Sequence, residues 1–80
     1  MNQLSTAQVQ SVCATINEFI AGEVDVRAVP STSNTVAWMR VYPQGEYPFT
    51  QNEAFQRLVQ AGYNPQSMLD FAIKKAKEAP

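Results

Sequence analysis

A small α+β domain is the fold class this sequence predicts, and three observations predict it. Residues 35–42, Thr-Val-Ala-Trp-Met-Arg-Val-Tyr, are β-branched and aromatic with strict alternation, the pattern of a strand. Two capping boxes, Ser5-x-x-Gln8 and Thr50-x-x-Glu53, each precede apolar residues at helical spacing. With 80 residues, the chain buries little more than ~60% of its unfolded surface, enough for one core and hence one domain over residues 1–80.

The first helix is predicted over residues 6–21. Leu4 and Val9 take the positions of a hydrophobic staple, and Val9, Val12, Cys13, Ile16, Phe19 and Ile20 recur along one stripe. Gly22 is placed to end it in the left-handed conformation. Residues 23–29 alternate, with Val24, Val26 and Ala28 on one side and Asp25, Arg27 and Val29 on the other. Pro30-Ser-Thr-Ser-Asn34 is loop chemistry, so this strand folds back antiparallel on residues 35–42. Setting Val29 opposite Val36 places Arg27 by Trp38, Val26 by Met39 and Asp25 by Arg40, and gathers Val24, Val26, Ala28, Ala37, Met39 and Val41 on one face.

Pro43 ends the strand, because it has no amide to donate, and Pro43-Gln44-Gly45 suits a turn. Tyr47-Pro48-Phe49 leaves room for a short third strand at an edge. A second helix is expected over residues 51–61, with Ala54, Phe55, Leu58 and Val59 on its stripe and Glu53 spaced to pair with Arg57. Gly62 and Tyr63 fit a Schellman ending, with Tyr63 folding back on Leu58. Asn64 caps a third helix that has Pro65 at its first position and Leu69, Ala72, Ile73 and Ala76 on its stripe. The expected order is α-β-β-α-α, with the first and third helices on the Val24/Val26/Met39/Val41 face. Leu58-Val-Gln-Ala-Gly-Tyr63 and the helix after it resemble the helix, Gly-aromatic loop, helix corner of ubiquitin-associated domains. Schellman geometry alone accounts for that corner, and no function follows from it.

Composition excludes several chemistries. There is no histidine and a single cysteine, so the usual general base is missing and a zinc or iron–sulfur site has no ligands. Three scattered glycines make neither a P-loop nor a dinucleotide fingerprint. Glu23 and Asp25 are the one close pair of carboxylates, and solvated side chains are the expectation there. Cys13 lies within an apolar stripe, where a cysteine behaves as a small hydrophobe. Lys74, Lys75 and Lys77 complement the dipole at the end of a helix. No enzyme, cofactor or metal is expected. A net charge of −1 provides no field for DNA or anionic membranes, and neither a signal peptide nor a membrane span is legible. The expected setting is the cytoplasm.

In the register above, Arg27, Val29, Val36, Trp38, Arg40 and Tyr42 form an outer hairpin face too apolar to be left in water. Three coverings compete: a helix of the same chain, another protein or a second copy of this one, and stacked single-stranded bases. Trp, Tyr and Arg are the side chains that dominate binding hot spots. The expected function is therefore non-catalytic protein binding through Arg27, Val36, Trp38, Arg40 and Tyr42. The expected role is a small regulator, inhibitor or accessory protein, such as a phage or other mobile element encodes. Two strands alone leave open edges, so pairing across a homodimer is a further expectation. Single-stranded nucleic-acid binding by the same face is the alternative.

Overall fold

In the computed structural model, residues 4–78 are described; Met1-Asn2-Gln3, part of the stretch read against a signal peptide, lie outside them. The order is α1 (Thr6–Ile20), β1 (Val26–Pro30), β2 (Val36–Tyr42), β3 (Gly45–Phe49), α2 (Gln51–Gln60) and α3 (Pro65–Glu78). The stretch around Tyr47 is a full third strand, and the sheet is antiparallel in the order β1-β2-β3.

Local chemistry sets the helix ends. The Gln8 amide donates to Ser5 Oγ at 3.1 Å and the Ser5 amide to Gln8 Oε1 at 2.8 Å. Thr50 and Glu53 repeat the arrangement at α2. At the other end of α2 the Tyr63 amide reaches the Leu58 carbonyl at 2.9 Å and the Gly62 amide reaches Val59 at 3.0 Å, the paired bonds of a Schellman motif. Gly62, at φ 94°, makes that reversal without a Cβ in the way. Asn64 Oδ1 accepts from the Ser67 amide and starts α3. α1 ends one residue earlier than its sequence suggests: Ala21 at φ 52° precedes Gly22 at φ 75° in the left-handed region, and the Ala21 amide bonds to the Asn17 carbonyl.

The hairpin register differs from the expected one by a single residue. Ala28 faces Trp38, Val26 faces Arg40 and Pro30 faces Val36. The loop decides this. Asn34, at φ 57°, closes a three-residue turn in which the Ser31 amide donates to the Thr35 carbonyl at 2.9 Å. Because side chains alternate with period two, a slip of one exchanges the faces of β2 relative to β1. Val26 and Ala28 therefore share their face with Trp38 and Arg40, and Met39 and Val41 turn to the other side.

All three helices lie on the Trp38 side: α1 against β1, α2 across β2 and β3, and α3 against α1 and α2. Val9, Val12, Ile16, Ile20, Val26, Ala28, Trp38, Ala54, Leu58, Met68 and Ala72 form the core. Trp38 is 3% exposed and meets Phe55 of α2 edge to face, with centroids 5.5 Å apart. The covering of the Trp38 face is thus a helix of the same chain. Phe19, expected on the core stripe of α1, is 45% exposed and stacks edge-on against Phe71 of α3.

Candidate interaction surface

The five residues expected to form one outer face are divided by the register. Trp38 is in the core, and Val36, opposite Pro30, is half-buried at its border. Arg40 lies on the helix side, where its guanidinium sits 4.5 Å from the centroid of the Phe49 ring and donates from Nη2 to Glu53 Oε2 at 3.0 Å. Its Nε is buried and has no partner among the described residues. Tyr42 is exposed near the turn of the β2–β3 hairpin. Arg27 alone of the five is on the open side, ion-paired with Glu46 across β2.

The expected charge partners change accordingly. Asp25 pairs with Arg57 rather than Arg40, through Nε at 2.7 Å and Nη2 at 3.2 Å. Glu53 pairs with Arg40 rather than Arg57, and the cation–π contact is Arg40 on Phe49, while Arg27, expected beside Trp38, lies on the open side. The Arg57 hydrogen bond holds the Asp25 carboxyl below its ordinary range, and the Thr50 backbone amide does the same for Glu53. Glu23 accepts a hydrogen bond from the Tyr63 hydroxyl at 3.2 Å. Cys13 is buried, and burial raises its thiol pKa. Among the described residues no three metal-ligating side chains converge, and no helix is long and apolar enough to cross a membrane.

The side of the sheet away from the helices carries Val29, Ala37, Met39, Val41 and Pro48, bordered by the Arg27–Glu46 pair. Alternation places these five together once Trp38 is known to face the helices. Near the turn both sides are apolar: Val41 is 42% exposed on the open side, while Tyr42 and Tyr47, 40% and 47% exposed, meet at a tilt with ring centroids 5.7 Å apart on the other. Only Pro43 and Gln44 link the two strands there, with Gly45 at φ 141° after them. Tyr47 and Met39, absent from the expected site, belong to this surface: the short edge strand expected around Tyr47 had no register to place it beside Tyr42, and the expected register put Met39 in the core.

Both sheet edges are guarded. The Val41 amide donates to the Asp25 carbonyl, so odd-numbered residues of β2 bond to β1 and even-numbered ones to β3. The backbone of Ala28 therefore points outward, and Asn17 of α1 occupies it: Nδ2 donates to the Ala28 carbonyl and Oδ1 accepts from the Ala28 amide, both at 2.8 Å. On β3 the outward positions are Glu46 and Pro48, and Pro48 has no N–H to offer. Compared with protein-family models, curated proteins and solved structures, the chain matches none.

Proposed function

We propose that this chain is a non-catalytic protein-binding module, a small regulator, inhibitor or accessory protein, and that its partner is another protein gripping the β2–β3 hairpin. One observation carries the reading: Val41, Tyr42 and Tyr47, three of the six large hydrophobic side chains left exposed among the described residues, sit together at one hairpin end. Tyrosine is a hot-spot residue type, because it supplies large rigid contact area at low entropic cost.

Area favours another protein over a second copy. Three strands about 4.8 Å apart and five residues long span a face of roughly 14 by 17 Å, well below the ~800 Å² per partner of a stable specific interface. Two copies laid back to back on that face would be held weakly. A partner that also closes over Tyr42 and Tyr47 reaches further. The guarded edges argue in the same direction, since neither invites strand addition. Stacked single-stranded bases have less support: Trp38 lies under α2, and Arg27, Arg40 and Arg57 are each ion-paired.

The test is capture from an extract of the cells that express the protein, using immobilised wild type and three variants of unchanged circular dichroism. Val41→Glu and the double change Tyr42→Ala/Tyr47→Ala should each weaken capture of the same partner by roughly thirtyfold, about 2 kcal/mol. Val59→Glu, at a 60% exposed position on α2, should not. Equal capture by all four proteins would falsify the reading. A dimer in light scattering that Val41→Glu dissociates would instead make a second copy the partner.

A further inference from the structure

A cavity of about 460 Å³ opens between β2 and α3, on the helix side of the sheet and at the end away from the β2–β3 turn. It exists because α3 leans on α1 and α2 and stays clear of the strands. Val36 and Trp38 wall it from the sheet, Leu69 and Ile73 from the helix. These last two occupy the core-facing stripe of α3 yet are only half-buried, since the cavity lies between them and the strand.

The buried and half-buried part of the lining is apolar, and Ser33, Asn34, Thr35 and Gln51, which are exposed, make its rim polar. Lys77, one turn beyond Ile73, is the only charged residue among those that line it. Among the described residues Lys77 makes no ion pair, whereas each of the three arginines makes one. Size, apolar wall and a few polar groups are the features of small-molecule sites, which run to roughly 300–1,000 Å³.

We infer that this cavity binds an amphipathic carboxylate of medium chain length, a free fatty acid in chemical class. The apolar chain lies between Ile73 and Val36, with the covered Trp38 at the floor, and the carboxylate meets the Lys77 ammonium at the mouth. An amphipathic cation of the same length would bring like charge to Lys77, and a neutral one would leave that charge without a partner. The site is separate from the hairpin turn, and its existence does not depend on the partner proposed there.

The experiment uses decanoate below its micellar concentration, with decyltrimethylammonium as the opposite-charge control. Trp38 is the sole tryptophan, so its emission reports on this cavity directly. Decanoate should change that emission saturably, and the cationic control should bind at least about tenfold more weakly. Lys77→Glu should weaken decanoate roughly tenfold and reverse the preference between the two. Ile73→Asp, which sets a carboxylate where the apolar chain lies, should abolish the response; Met39→Glu, on the open face, should leave it unchanged. No saturable response up to about 1 mM decanoate, equal binding of the two amphiphiles, or loss of binding in Met39→Glu would each overturn the assignment. If Ile73→Asp does not fold, the charge comparison and Lys77→Glu decide the matter alone.

Discussion

Trp38 shows how much one side chain's direction matters in a chain this small. A buried tryptophan removes ~150–250 Å² from water, which at ~25 cal/mol/Å² is an upper estimate of ~4–6 kcal/mol. The whole domain is stable by little more than that, since folded domains hold about 5–15 kcal/mol. Trp38→Ala should cost about 3–5 kcal/mol and leave much of the protein unfolded in dilute urea. Met39→Ala, one residue along and on the open face, should cost about 1 kcal/mol or less. Urea midpoints of the two variants check the assignment of faces, and the reverse order would put the core on the Met39 side.

Among the elements, α1 does two jobs. Its apolar stripe, Val9, Val12, Ile16 and Ile20, packs into the core, and Asn17 on its flank closes the edge of β1. A side-chain amide presents an N–H donor beside a C=O acceptor, as a strand backbone does, so Asn17 stands in for the next strand. Asn17→Ala leaves the Ala28 amide and carbonyl without these partners and should cost about 1–3 kcal/mol. Hydrogen exchange is the sharper readout: the Ala28 amide should lose protection out of proportion to its neighbours in β1. An unchanged rate at Ala28 would mean that water or another group already serves that edge. The α2–α3 corner is tied to α1 as well, through the Tyr63 hydroxyl to the Ile20 carbonyl and Glu23.

Across the whole molecule, two ion pairs hold α2, Glu53 to Arg40 of β2 and Arg57 to Asp25 just before β1. Both carboxyls are held below their ordinary range, Asp25 by Arg57 and Glu53 chiefly by the Thr50 amide and hydroxyl. A depressed carboxyl pKa stabilises the fold fully above the unfolded-state value, and that contribution disappears as pH falls through the folded one. Stability should therefore hold at neutral pH and decline as pH falls below about 5 and on through the lowered pKa values of the two carboxyls. The double change Asp25→Asn/Glu53→Gln should lower the urea midpoint at pH 7 and flatten this acid decline. Added salt should shrink the difference, because the groups face water and are screened. An acid decline as steep in the double variant as in wild type would assign it to other carboxylates.

What the sequence determined by itself is what a few neighbouring residues settle among themselves. Ser5 with Gln8, Thr50 with Glu53, Gly62 with Tyr63 and Asn64 before Pro65 are legible because their hydrogen bonds close within a handful of residues. Alternation likewise located both strands of the first hairpin. It could not say which side of β2 is inside, because period two defines two faces without ranking them. That choice was made by the three-residue turn at Asn34, by β3 placing Phe49 opposite Trp38, and by α2 bringing Phe55 onto the indole. The same step dispersed the expected site: Trp38 went inward, Arg40 found Glu53, and Tyr42 stayed exposed beside Tyr47. Long-range partners of this kind depend on where whole elements dock, and docking is decided by the burial of the largest apolar area. Here that area was the indole of Trp38, and tertiary packing placed it.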